Sequence, residues 1–409
     1  MAERRIIAVV LLAGVTAAMT LGALTPFLAQ LSDEFALPFA TTGWLASGVT
    51  LVAGLTCMPV GQWADTRRLR GPFIAGLLIL AAASMASASM SHSEALIVLR
   101  VGQGVGYAAV VVLGPALLAR LLRAERARLA LALWGMCVPV GLALASVMGG
   151  LLSASGWRAS ATAIGGLALV TAGVARLTLP DIAGRPRQAV RGRGRGVWPL
   201  AVAFALIALV GVAVVTLLST FLSTVHGLAV SDAGLVTGVV AASSALGSMS
   251  AGALLNAGVA PQRLLAAVMP MAAASAGVLL AGSTVVAALS AAALMAMNGL
   301  AVSALFAMVP VVAGDRTAWA AGALTQLGSL GTLLGPPLYA AVMERSGWAA
   351  LVPVTILVAA VGLGCAVAAL RQRPGRPRPS PSRPWPSSAD PGRTVPRSPR
   401  EHGVRPDRS

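Results

Sequence analysis

The sequence contains no lysine: all thirty basic side chains in its 409 residues are arginine. The phosphate-binding loop of a nucleotide-driven motor needs a lysine that reaches the phosphates, so its absence argues against an ATP-driven pump within this chain. Charge of either sign is scarce, at 11% of residues, where soluble domains carry about 25%. That is too little polar material to cover a water-soluble protein of this length. Cysteine is nearly absent. Cys57, Cys137 and Cys365 each lie inside an apolar run, with no CxxC or Cys/His spacing. They read as small buried hydrophobes rather than a disulfide framework or metal ligands. The three histidines, His92, His226 and His402, are scattered through loops and the tail and form no cluster. All thirteen acids fall in loops, at helix ends or in the tail. No cofactor and no metal site is expected.

What is present is apolar length, with 57% hydrophobic residues. A bilayer-crossing helix needs about 20 mostly apolar residues. Such runs recur at 6–30, 41–62, 72–90, 95–119, 129–153, 157–179, 197–225, 233–256, 261–283, 285–312, 317–343 and 348–370, twelve spans with the weakest separations at 256–261 and 283–285. The runs are continuous and rich in Ala, Leu, Val and Gly, whereas membrane barrel strands alternate in polarity over about ten residues. The 45 glycines suit close helix packing in lipid. The first run follows Arg4 and Arg5 but extends from Ile6 to Gln30 without a charge. That is longer than a signal-peptide core of about 7–15 residues, so it reads as a retained helix.

The arginines report orientation. With the N-terminus in the cytoplasm, the inner loops receive Arg4 and Arg5; Arg67, Arg68 and Arg70; Arg120, Arg123, Arg126 and Arg128; Arg185, Arg187, Arg191, Arg193 and Arg195; then Arg263 and Arg316. The outer side receives Arg158 and Arg345. This is the asymmetry of a multi-pass membrane protein, and it makes the net charge of +17 a topology and tail signal rather than a sign of nucleic-acid binding. The stretch GRPRQAVRGRGRG (184–196) sits in the longest inner loop, where its arginines meet anionic headgroups. The Pro/Arg/Ser-rich end, 371–409, cannot bury apolar area and is expected to be a disordered cytoplasmic tail.

The chain also repeats itself, with an offset near 190. GLALASVMGGLLSASGW (141–157) aligns with GTLLGPPLYAAVMERSGW (331–348): Gly141 with Gly331, Ala145 with Gly335, Ser146 with Pro336 and, after one inserted residue, Gly156–Trp157 with Gly347–Trp348. GWLASG (43–48) parallels AGLVTG (233–238). The expected architecture is all-α, with twelve transmembrane helices in two pseudo-symmetric six-helix bundles: residues 1–180 and 197–370, joined by a basic linker at 181–196. Parallel repeats of this kind are a transporter plan, with the solute site between the halves.

Three motifs point the same way. GQWADTRRLRG (61–71), after the second span, resembles the G-x-x-x-D-R-x-G-R-R/K signature of the major facilitator superfamily. Gly61, Asp65 and Arg70 match, while Thr66, Arg68 and Leu69 depart from the pattern. RVGQGVGYA (100–108) resembles the family's R-x-x-Q-G-x-G-x-A motif, and GLALASVMGG (141–150) its antiporter motif, with Ala145 and Ser146 in place of Gly-Pro. The resemblance covers residues 1–370. It implies a secondary transporter in the cell membrane that moves a small solute by alternating access, with protons as a possible coupling ion, no catalysis, and efflux of drugs or metabolites as the direction. It also implies that Asp65, with Gly61, Arg67, Arg68 and Arg70, forms a cytoplasmic gate, an acid being a good acceptor at a helix start. Gly141, Gly149, Gly150, Gly331, Gly335 and Pro336 would then be helix-packing positions on which the halves rock.

Ionisable groups inside a span are functional candidates by default, and Arg100 is the one charge embedded in a span. Arg100, Gln103 and Tyr107 share a helix face. On one reading the stripe lines the central cavity and Arg100 binds an anionic substrate, which would suit uptake or exchange of an organic anion. On the other, Arg100 snorkels to the outer surface or pairs with Glu34 or Glu94. Thr16, Thr20, Thr216, Thr220, Asn298 and Gln326 are polar positions within other spans, suited to the cavity or to helix–helix hydrogen bonds. No carboxylate lies in mid-span, so Glu34, at the end of the first span, is the sole candidate for coupling. A membrane-embedded enzyme would need a constellation of His, acid or metal ligands that the spans do not contain. A receptor or structural protein has no use for the gate motif or the repeat. The alanine-rich, lysine-free composition suggests a GC-rich bacterial source, and nothing in the sequence calls for more than a monomer.

Overall fold

Residues 2–181, 196–265, 268–280, 282–313 and 317–372 are described in the computed structural model, and every regular element among them is helical. The linker and the tail lie outside the described residues apart from their edges. In chain order the helices are α1 (Ala2–Gly22), α2 (Leu28–Glu34), α3 (Phe39–Ser47), α4 (Thr50–Thr66), α5 (Arg70–Ser87), α6 (Ser93–Leu121), α7 (Ala124–Trp134), α8 (Cys137–Leu151) and α9 (Gly156–Thr178). After the linker come α10 (Val197–His226), α11 (Val230–Asn256), α12 (Pro261–Leu264), α13 (Val268–Leu280), α14 (Thr284–Ala313), α15 (Thr317–Ser346) and α16 (Leu351–Arg371).

Nine segments among the described residues are long and apolar enough to cross a bilayer: Glu3–Glu34, Phe39–Ala64, Arg70–Ser87, Ser93–Leu121, Ser153–Thr178, Val197–Thr224, Val230–Asn256, Thr284–Ala313 and Trp348–Arg371. The three other expected spans are helical but differ in kind. The fifth is split at Gly135 into α7 and α8, and the ninth carries α12 and α13 on either side of residues 266–267, which lie outside the described residues. The eleventh is α15, a helix of 30 residues diluted by Gly, Ser, Thr and Gln. Helix ends fall at both weak separations. The chain leaves α11 at Asn256, passes Gly258 at φ +85, and re-enters at Pro261; it starts α14 at Thr284.

Breaks inside two spans follow from local chemistry. In the first, α1 ends at Gly22, and Pro26, which has no N–H to donate, sits in a short turn at Thr25–Phe27 before α2. In the second, α3 ends at Ser47 and α4 begins at Thr50, with Gly48 and Val49 between. The last carbonyls of a helix have no partner within it, so each break leaves backbone oxygens to be satisfied by something else.

The helices form two bundles. In the first, α1 packs on α6, α8 and α9, α5 packs on α6 and α9, and α4 packs on α6. In the second, α10 packs on α14, α15 and α16, α11 on α14, and α13 on α14 and α16. The bundles repeat one another. Phe39 and Val230, Arg70 and Pro261, Ser93 and Thr284 begin equivalent helices, each pair 191 residues apart. Gly156 and Gly347 have nearly the same φ, +76 and +77, and each precedes a tryptophan. That left-handed backbone strains any residue with a Cβ, which explains why a glycine stands at both places. The bundles meet along two lines, α8 against α11 and α3–α4 against α15.

Candidate functional site

Glycines stand at several points along the two lines of contact, where a side chain would not fit. A Cβ on Gly150 of α8 would lie 2.6 Å from the Ser231 carbonyl oxygen of α11, and one on Gly234 of α11 would lie 2.8 Å from the Gly150 Cα. On the other line, a Cβ on Gly43 would lie 2.8 Å from Pro337, with Pro336 beside it, and one on Gly54 would lie 2.6 Å from Leu330. At Gly43, Gly150 and Gly234 backbones therefore touch directly, at the end of the molecule that carries Trp157, while Gly54 makes room for the Leu330 side chain. The remaining packing glycines act within a bundle. Gly141 meets Ala18 and Val15 of α1, Gly149 meets Pro26, and Gly331 and Gly335 meet the backbone of α10 at Ala205 and Leu209.

Polar contacts also cross the seam. The Met58 N–H of α4 donates to the Gln326 Oε1 of α15 at 2.9 Å. Next to Met58, Cys57 faces Ser329, which lies three residues beyond Gln326 and whose hydroxyl donates to the Thr325 carbonyl at 2.9 Å. Sequence reasoning singled out Gln326, read Cys57 only as a small buried hydrophobe, and passed over Ser329; neither of the last two stands out in an apolar run until α4 and α15 are brought together.

Arg100 sits deep inside the first bundle, 2% exposed. Its Nε donates to the Leu45 carbonyl at 2.6 Å, Nη2 to the Ala46 carbonyl at 2.6 Å, and Nη1 to the Thr20 carbonyl at 3.0 Å and to Gln103 Oε1 at 2.7 Å. Four of the five N–H donors of a guanidinium are thereby engaged. The three backbone acceptors are carbonyls at the ends of α1 and α3, those that the two helix breaks leave without helical partners. Gln103 continues the network, its Nε2 donating to Ser84 at 3.2 Å and Ser87 at 3.4 Å. Arg100 and Gln103 thus meet as their spacing implies, but their partners are helix ends and serines of their own bundle. Tyr107, on the same face, is buried.

The other candidates are dispersed. The Thr20 hydroxyl donates to the Ala17 carbonyl, and the Thr16 hydroxyl is buried with no hydrogen-bond partner. Thr216 and Thr220 are buried in α10. Asn298 of α14 donates to the Ile207 carbonyl of α10 at 2.8 Å, facing Gly211. Glu34 ends α2 in an ion pair with Arg158 at 2.5 Å and accepts from the Trp157 indole at 2.9 Å, while Arg158 also lies over the Trp157 ring.

At the opposite end, around the expected gate, the Asp65 side chain lies outside the described residues. Its basic neighbours bind within the first bundle. Arg68 pairs with Asp181 at 3.0 Å, Arg70 donates to the Arg176 carbonyl, and Arg120 donates to the carbonyls of Arg67 and Ala64 at 3.1 and 2.8 Å. Gly61 has open space around it apart from Val112. Arg120 and Asp181 were not expected here; only folding shows that α6 and the end of α9 converge on the loop after α4. Among the described residues no group of His, Cys, Asp and Glu is arranged to hold a metal ion.

A family model described as the Major Facilitator Superfamily matches residues 10–326. The structure is similar to a bacterial homolog of the human lysosomal transporter Spinster in an inward-facing and occupied conformation. The TM-score is 0.76 at 17% identity, over 92% of this chain and 99% of that one. It is also similar to the inward-facing, unoccupied form of such a homolog, with a TM-score of 0.73 at 17% identity and the same coverage. No curated protein sequence matches significantly.

Proposed function

The chain belongs to the major facilitator superfamily, and on that premise we propose that it is a secondary transporter carrying a small, largely apolar solute out of the cell by alternating access between its two bundles. The observation that carries this reading is the glycine seam. Gly43, Gly150 and Gly234 bring the backbones of the two bundles into contact at the Trp157 end. Such contacts release without breaking long side-chain networks, as a reversible closure requires. The seam also holds a hydrogen bond, from Met58 to Gln326, and it must be exchanged when the bundles part.

The bias of arginine toward the Arg68 end supports a cytoplasmic placement for that end in a plasma membrane, with residues 1–180 and 197–370 as the moving units. Arg68 and Arg70, tied to Asp181 and to the end of α9, would hold the loop after α4 as the frame of a gate in which Asp65 takes part. An apolar or neutral solute fits better than an organic anion, because Arg100 has four of its N–H groups committed to protein acceptors.

The test is solute movement in proteoliposomes. Purified protein would be reconstituted and a panel of neutral, cationic and anionic fluorescent solutes offered, with and without a pH gradient. Protein-dependent counterflow of a neutral or lipophilic member is expected. Absence of movement for every member, from protein shown to be folded, overturns the proposal; saturable movement confined to anions overturns the solute class.

A further inference from the structure

Backbone contact between α8 and α11 lets the bundles part cleanly, but it does not supply a force that parts them. The side chains bordering that contact do. Five buried side-chain nitrogen or oxygen atoms have no hydrogen-bond partner among the described residues, and three of them are the hydroxyls of Thr25, Ser146 and Thr237. These residues are 1%, 0% and 0% exposed. Ser146 lies where α8 meets α11: a Cβ on Gly234 would come 3.0 Å from the Ser146 carbonyl oxygen. Thr237 stands in α11 between Gly234 and Gly238, and a Cβ on Gly238 would come 2.4 Å from Val147 of α8. Thr25 begins the short turn after α1. That turn packs on α8 of its own bundle and on α10 and α11 of the other, and its Pro26 occupies the space beside Gly149.

The second line of contact differs. Thr42, Ser47 and Thr50 of α3 and α4 donate to the carbonyls of Pro38, Gly43 and Ser47 at 3.3, 3.0 and 2.8 Å. Thr325, Ser329 and Thr332 of α15 donate to those of Ala321, Thr325 and Ser329 at 2.9, 2.9 and 2.8 Å. Serine and threonine in helices commonly satisfy themselves this way, by bonding back to a preceding carbonyl. The hydroxyls that do not are found where α8, α11 and the Thr25 turn come together. A hydroxyl buried without a partner loses its hydrogen bonds to water and gains nothing in return. We propose that Thr25, Ser146 and Thr237 are positioning residues for the alternation: closing this line strips their hydroxyls of water, and their rehydration drives the line open again. This rests on the reading of the two bundles as alternating-access halves. Close backbone packing favours the closed line, the stripped hydroxyls oppose it, and neither state becomes a trap.

The test removes the hydroxyl and keeps the shape. Nitroxides on Ser155→Cys and Ser346→Cys, exposed positions close before Trp157 and Trp348, report the separation of the bundles at this end by double electron–electron resonance. The full-length protein is used in lipid nanodiscs, in a Cys57→Ala, Cys137→Ala, Cys365→Ala background. Two distance populations are expected. Ser146→Ala and Thr237→Val should each lower the ratio of the longer to the shorter at least about five-fold, the effect of relieving one unmet hydrogen bond, and should melt no lower than the background. Ser329→Ala removes a bonded hydroxyl from the other line and should not lower the ratio. An unchanged ratio in either Ser146→Ala or Thr237→Val, or a lowered melting temperature in either, shows a hydroxyl that is partnered when closed and overturns the proposal. An equal fall in Ser329→Ala overturns it too. A single distance in every protein overturns the alternating-access reading along with it, whereas two populations that ignore the substitutions overturn this proposal alone.

Discussion

Replacing Arg100 with methionine keeps much of the side-chain volume and removes every hydrogen bond. The carbonyls of Thr20, Leu45 and Ala46 then lose their donor while remaining buried. An unsatisfied buried carbonyl costs about 1–3 kcal/mol, so three cost roughly 3–9 kcal/mol. Against this, the protein no longer buries a cation, a penalty of several kcal/mol in itself. A net loss of roughly 3 kcal/mol is expected, a sizeable part of the 5–15 kcal/mol typical of folded domains. The melting temperature should fall by on the order of 5 °C or more. Heating in the presence of a thiol-reactive fluorogenic dye reads this directly, because Cys57 and Cys137 are buried and react only as helices separate. Arg100→Lys retains the charge but not the fork that spans several carbonyls, so it should lie between the two. If Arg100→Met melts with the unaltered protein yet fails to transport, Arg100 acts on a solute rather than on the helix ends, and the reasoning is refuted.

Three further outcomes follow from the seam and its edges. Gly150→Leu, whose Cβ would meet the Ser231 carbonyl at 2.6 Å, should slow transport at least about ten-fold, the equivalent of one lost hydrogen bond or more, while melting stays near normal; unimpaired transport would show that α8 and α11 need not touch. Gln326→Leu removes the bond to Met58 across the seam, worth about 1 kcal/mol, and should raise the alkylation rate of Cys57 by a small maleimide about five-fold; an unchanged rate would separate Gln326 from seam opening. In Glu34→Gln the ion pair with Arg158 is lost, but the side chains are 28% and 42% exposed, so the cost should stay below about 1 kcal/mol. Transport should persist in this variant, and its loss without a change in melting would assign Glu34 to coupling.

Nine of the twelve spans, the two-bundle plan and the family were legible in the sequence, because lipid imposes length and hydropathy on a crossing helix and because the repeat preserved Gly156–Trp157 and Gly347–Trp348. The interior of the spans was not. Nothing in the run from Phe39 to Ala64 announces a break at Gly48, since glycine is common throughout and no proline stands there. Without the break, the carbonyls of Leu45 and Ala46 would be bonded within their helix, and Arg100 reads equally as a cavity ligand or as a snorkelling cation. Cys57 and Ser329 were illegible for another reason: their contact depends on which helices of opposite bundles are adjacent, and hydropathy carries no such information. Thr16 was illegible in a third way: its hydroxyl is buried without a hydrogen-bond partner, and a threonine in an apolar run reads the same whether or not it finds one.

The interruption at Gly48 has a mechanical corollary. It falls between the contact of Gly43 with Pro337 and that of Gly54 with Leu330, so the arm that leans on α15 is jointed midway, whereas its counterpart α11 is a single rod. A jointed arm bends with its upper part seated; a rod tilts only as a whole. The two repeat-related arms are therefore unequal, α3–α4 yielding by flexure at an elbow and α11 by rigid swing, and the elbow is the place where Arg100 grips.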